Sequence, residues 1–140
     1  MNILFTRFPL ESLFGGAEGQ TLSLMKSLIV RGHSVSFVGS CPVLLVEGEK
    51  IQVKTSQIHI GNPPVTKWDA FSFVWRKRAM KKALEQMMNN MSSMPDIICM
   101  VSLSEKILLT PFALRKGIKV LWIEHDSVGR WLRGNPWLST

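Results

Sequence analysis

Two hydrophobic periods take turns along this chain. Asn2 to Phe8 (NILFTRF) is a largely apolar run of strand length. From Glu18 to Arg31, Leu22, Met25, Leu28 and Ile29 recur at helical spacing until Gly32 stops the helix. The next segment, HSVSFVG, reverts to a strand, apolar at Val35, Phe37 and Val38 and bounded by Gly39. Cys41 to Ile60 is undecided by pattern, although IQVKT and QIHI within it show the two-residue alternation of strands. Asn62, Pro63 and Pro64 punctuate the chain, and Thr66 to Asp69 (TKWD) reads as a capping box ahead of a helix running to about Asn90. After Pro95, DIICMVS is a strand. Leu103 to Lys116 is helical, with a break predicted at Pro111 and a stop at Gly117, and KVLWIEHD is one more strand. No internal repeat or low-complexity segment interrupts the order.

Strands that are apolar runs, alternating with helices, predict an α/β, Rossmann-like parallel sheet with helices on both faces. Such sheets bind ligands at the carboxyl ends of their strands, where the crossovers leave a crevice and helix N-termini point into it. The candidate site is therefore the loop from Arg7 to Gly16, the region after Gly39, the segment Ser102 to Glu105, and the turn from Glu124 to Asp126.

Composition narrows the partners. A chain of 140 residues that is 46% hydrophobic is expected to form a single domain with a core of its own. A net charge of +7 with a pI near 9.9 favours an anionic partner: nucleic acid, a phosphorylated small molecule or an anionic membrane surface. The apolar runs are shorter than a membrane span, and Met1 leads straight into a strand. The expected location is thus the cytoplasm, with a peripheral position at the inner face of the membrane left open. Cys41 and Cys99 lack metal-ligand spacing and are expected to be reduced, buried thiols; neither a metal nor a bound cofactor is expected.

The stretch FPLESLFGGAEG, Phe8 to Gly19, joins the first strand to the first helix. Two readings of Gly15 and Gly16 stand. In one, missing side chains let backbone N–H groups approach a phosphate or a sugar hydroxyl at a helix N-terminus; in the other, the pair only makes a tight turn. The dinucleotide pattern G-x-G-x-x-G and the P-loop pattern G-x-x-x-x-G-K-[ST] are both absent.

The string GGAEGQTLSLMKSLIVRGHSVSFVG resembles the opening of the N-terminal, acceptor-binding domain of family 4 glycosyltransferases, retaining enzymes of the GT-B fold. The matching elements are Gly15, Gly16, Ala17 and Glu18, then Arg31, Gly32 and His33. PDIICMVS and ALRKGIKVLWIEHD are similar to the family's later strand, helix and strand ending in His, so the resemblance extends to about Asp126. It implies that this chain binds the acceptor while another domain holds the nucleotide-sugar donor. It also implies that Gly15 and Gly16 approach the donor diphosphate and that His125 faces the transferred sugar or the acceptor hydroxyl. The chain departs from the family in lacking a donor domain and a Glu-x7-Glu motif. It is therefore expected to be inactive alone, as the N-terminal part of a longer enzyme or the partner of a donor-binding chain.

Several residues carry two readings. His125, between Glu124 and Asp126, is either a site imidazole or a surface histidine in a polar turn. Glu18 either caps the first helix or contacts ligand, whereas His33 and His59 are read as structural or isolated. On the long helix, Phe73, Met80, Leu84, Met87 and Met91 share the core stripe. Trp68, Phe71 and Trp75 continue into Arg78 and Lys82 on another side, which suits an anionic membrane or a lipid-linked acceptor with a phosphate. The competing reading packs these aromatics beneath the loop at Pro63 and Pro64. The run VGRWLRGNPWL places Arg130 and Arg133 where an anionic acceptor could be held, or else it is a helix lacking its partners. The alternative function is a basic nucleic-acid- or nucleotide-binding α/β module without catalysis, although no nucleic-acid motif is present.

Overall fold

A computed structural model describes residues 1–9, 15–61, 64 and 66–125. Among the described residues, five strands and four helices follow one another as β1 (Asn2–Arg7), α1 (Gly16–Val30), β2 (Ser34–Gly39), α2 (Pro42–Lys50), β3 (Lys54–Gln57), α3 (Lys67–Asn89), β4 (Ile97–Met100), α4 (Leu103–Arg115) and β5 (Lys119–Trp122). All pairings are parallel and the sheet order is β3-β2-β1-β4-β5, with the first strand central. This is the α/β, Rossmann-like arrangement that the alternation predicts.

The apolar runs are continuous because each central strand is buried on both faces. Ile3 and Phe5 of β1 pack with Val35, Phe37 and Cys99 beneath Met25 of α1 and Leu44 of α2. Leu4 faces the other way, joining Val38, Ile98 and Met100 under Met80, Leu84 and Met88 of α3 and Leu108, Leu109 and Phe112 of α4. Phe73 lies in the same core and Met87 and Met91 pack at its margin, so the core stripe read from the helical period is the face that α3 turns to the sheet. Both cysteines are buried free thiols, and burial pushes Cys99 up to about 11.

Helix ends follow local chemistry. Thr66 Oγ1 accepts from Asp69 N at 3.1 Å, which is half of the expected box; the Asp69 carboxylate meets the Thr66 hydroxyl at 2.6 Å instead of reaching a backbone N–H. Gly32 and Gly117 end α1 and α4 in the left-handed region, at φ of 83° and 71°, letting His33 N and Ile118 N reach back to Leu28 O and Ala113 O.

One open stretch is resolved and two expectations need correction. The undecided stretch after Cys41 forms a helix, α2, with Pro42 in its first turn, and strand β3 covers only Lys54–Gln57. Pro111 does not break α4: Leu108, Leu109, Phe112 and Ala113 anchor the helix to the sheet on both sides of it. Pro111 deprives the Ile107 carbonyl of its partner, but Ile107 is on the exposed side, where water can serve. Helix α1 begins at Gly16, two residues before the apolar pattern suggests.

Among the described residues no helix is long and apolar enough to cross a membrane. At the end of β2, a Cβ on Gly39 would lie 2.1 Å from the Arg7 carbonyl oxygen and 2.9 Å from the Phe37 ring. Backbone cannot yield there without parting β1 from β2. Gly39→Ala is expected to destabilise the fold by about 1 to 3 kcal/mol, the usual range for overpacking, as a lowered urea midpoint at unchanged slope.

Candidate functional site

Strand order reverses between β1 and β4. From there the connections after β1 and β4 leave in opposite directions, opening a crevice at the carboxyl edge. Backbone bonds knit its floor: Val101 N donates to Thr6 O at 3.1 Å, and Phe8 N donates to Ser102 Oγ at 2.9 Å.

Both helices that start at this crevice carry a glutamate in the third helical position, and each turns back on its own N-terminus. Glu18 is 3% exposed. Its Oε2 accepts from Gly15 N at 3.1 Å, and its Oε1 takes the Arg7 guanidinium at 2.5 Å. The cap is therefore real, and the carboxylate is spent on holding the loop to β1. Gly15 has an ordinary extended φ of −135°, and Gly16 is helical. Glycine is thus not required here by dihedral strain. What the pair provides is space: a Cβ on Gly16 would meet nothing within 4 Å, both glycines are exposed, and the N–H groups of Gly16, Ala17 and Glu18 have no acceptor within α1.

His125 arrives at the same place from the end of β5. Its Nδ1 lies 3.1 Å from Gln20 Oε1, in the second turn of α1, so β5 and α1 meet across the carboxyl edge. Glu124 is drawn away to Lys106 Nζ at 2.6 Å, and Asp126 lies outside the described residues. Lys106 is 4% exposed and also donates to Ile123 O at 2.9 Å, which ties the end of β5 to α4. Sequence reading missed Lys106 and Gln20. The available signal for Lys106 was a lysine inside the apolar stretch EKILL; Gln20 had none.

Glu105 is fully buried. Its Oε1 accepts from Ser102 N at 2.7 Å and Val101 N at 3.2 Å, with Thr6 Oγ1 at 3.4 Å. Burial pushes its carboxyl up to about 8 against the pull of these donors, so it is largely protonated at neutral pH. It sits beneath the crevice and braces the turn from β4 into α4.

Arg130 and Arg133 lie outside the described residues. Trp68, Phe71, Trp75, Arg78 and Lys82 are exposed on α3 and are not brought into the crevice; the aromatics are not packed under neighbouring elements. Among the described residues no group of three His, Cys, Asp or Glu is placed to hold a metal. Hollows of about 420 and 430 Å³ open at the amino edge, one beside Asn2, Ser34 and Lys54, the other beside Met1, Asp96 and Lys119. Neither includes Gly15, Gly16 or His125.

No protein-family model matches the sequence, and no curated protein does. In fold, the chain is similar to the glycosyltransferase of kitacinnamycin, with a TM-score of 0.67 and 17% identity over 99% of this chain and 37% of that one. CalG4, the calicheamicin glycosyltransferase, gives 0.60 and 17% over 95% and 34%. The C-terminal domain of a Pyrococcus furiosus hydrogenase gives 0.54 and 17% over 89% and 90%. The chain spans 34 to 37% of the length of these two glycosyltransferases. Identity this low carries the fold alone: a Rossmann-like sheet of the kind those glycosyltransferases contain.

The buried Glu105 gives stability a definite pH dependence. Below about 4.5 both folded and unfolded chains hold its proton; as pH rises toward 8 the unfolded chain loses it and the folded chain keeps it. This contribution to stability is therefore full at low pH and is lost as pH rises through that window, by up to about 1.4 kcal/mol per pH unit. Glu105→Gln keeps an oxygen for Ser102 N and Val101 N but cannot ionise. Urea unfolding at pH 5 and pH 8 should show wild type losing stability relative to Glu105→Gln at the higher pH; parallel behaviour would refute the assignment.

Proposed function

We propose that this chain is the acceptor-side, Rossmann-like domain of a retaining, family 4-like glycosyltransferase. The nucleotide-sugar donor is then held by a second domain or a partner chain. The observation that carries this most directly is the contact between His125 and Gln20, which joins the first turns of α1 to a strand-end imidazole on one ledge. The fold likeness to glycosyltransferases and the Gly-Gly-Ala-Glu string support the same reading.

Each residue has a distinct role in it. Gly15 and Gly16 leave N–H groups open to the donor diphosphate or to sugar hydroxyls, at a helix end whose dipole favours negative charge. His125 faces the transferred sugar or the acceptor hydroxyl, where a ring held by Gln20 can accept or donate a proton. Glu18 acts through position: with Arg7 it fixes the glycine loop against β1. Arg130 and Arg133 hold an anionic part of the acceptor.

Among the described residues nothing crowds a Cβ at position 16. Gly16 is the first residue of α1, where the absent side chain leaves room for a ligand to reach the open N–H groups. Gly16→Ala is expected to leave the fold as stable or slightly more stable. In wild type, inorganic diphosphate should shift the backbone amide resonances of residues 15–20, and in Gly16→Ala those shifts should weaken. If diphosphate leaves these amides unmoved, or the variant binds equally well, the site is not here. The 140-residue chain alone should release no nucleotide from nucleotide-sugars; sustained turnover by it would overturn the division of labour with a donor domain.

A further inference from the structure

Helix α3 carries a surface unrelated to the crevice. With 23 residues it is about 35 Å long at 1.5 Å per residue. At about 100° per residue, Phe73, Met80 and Leu84 define the direction of the sheet. The face bearing Trp68, Phe71, Trp75, Arg78 and Lys82 is centred about 180° away. It is the ridge of the helix that points straight out from the domain. Trp68 is 84% exposed, Trp75 77% and Phe71 66%, with Val74 exposed beside them.

Three large aromatic side chains within eight residues are a strong exception on the surface of a domain whose core is otherwise well filled, and they mark an interaction surface. Charge selects the partner. The helix holds six basic residues and two acidic ones, and both Arg78 and Lys82 are exposed on the outward ridge, one and two turns after Trp75. Shape narrows it further: the ridge is an outward helix face, and neither of the two hollows at the amino edge is lined by any of these five residues. A single small ligand would have nothing to enclose it. A flat anionic surface meets every requirement, because indole and phenyl rings settle at the headgroup level while cations along the same ridge meet lipid phosphates.

We infer that the outward ridge of α3 docks this domain on an anionic lipid bilayer, with Trp68, Phe71 and Trp75 in the headgroup layer and Arg78 and Lys82 against lipid phosphates. This does not depend on the glycosyl-transfer proposal. Its site is remote in sequence from Gly15, Gly16 and His125, and either proposal can fail without the other.

Co-sedimentation with vesicles tests it. The chain should bind vesicles of equal parts phosphatidylcholine and phosphatidylglycerol, bind pure phosphatidylcholine much more weakly, and be released near 1 M salt, where the screening length is about 3 Å. Each surface cation contributes on the order of a kilocalorie, so replacing both by glutamine (Arg78→Gln, Lys82→Gln) should weaken binding roughly 30-fold. Trp68→Ala with Trp75→Ala should abolish binding. All four side chains project from the ridge, so thermal unfolding midpoints should stay at the wild-type value, which separates lost docking from lost folding. Absence of binding to the anionic vesicles would overturn the inference. So would binding indifferent to lipid charge, or binding unchanged in the variants. Concentration-dependent dimerisation through Trp68 and Trp75, or single-stranded RNA displacing the chain from vesicles by occupying this ridge, would reassign the surface to another partner.

Discussion

The close approach of β2 to β1 is the contact on which the other features rest. Gly39 lies where any side chain would strike the Arg7 carbonyl, and Ser40 N donates to that same carbonyl at 3.1 Å. With β2 locked on one side and β4 on the other, β1 is buried on both faces and lies at the centre of the sheet. Central placement makes the strand order reverse beside it, and the reversal opens the crevice.

Around that crevice the chain uses one device twice. A glutamate three residues past the N-cap reaches back to the entering backbone, as Glu18 does to Gly15 and Glu105 does to Ser102. The two acids have different surroundings. Glu18 has a guanidinium beside it, whereas Glu105 has neutral donors on one oxygen and a burial that outweighs both them and the nearby Lys106 charge, favouring its protonated form. One helix start is thereby tethered by charge to β1, and the other is braced by a neutral carboxyl. Lys106 adds the third tie, from α4 to the end of β5, so the segment bearing His125 is held from below while the ring meets α1.

Binding features are divided between two regions. The crevice offers backbone donors and an imidazole, which suits polar ligands. The α3 ridge offers exposed aromatic rings and cations along one outward helix face, which suits a plane. A domain at a bilayer would use the first to handle a ligand and the second to set its own location, two tasks that need no shared residue.

Sequence alone determined the strand and helix order outside Cys41 to Ile60, the parallel sheet and the carboxyl-edge location of the glycine loop and His125, because those follow from hydrophobic period and from the handedness of parallel crossovers. It also determined which side of α3 is core, since Phe73, Met80 and Leu84 fall on one stripe whatever they pack against. It left α2 open because that segment is short and its apolar residues run together, a pattern that fits strand and helix alike. It misjudged Pro111 because only packing reveals that the freed carbonyl is on the solvent side. Tertiary structure alone decided that Gln20 meets His125, that Lys106 takes Glu124 from the imidazole, and that Trp68 and Trp75 stay exposed. These are contacts, or missing contacts, between elements up to 105 residues apart, and a local pattern carries no record of what approaches a side chain from across the sheet.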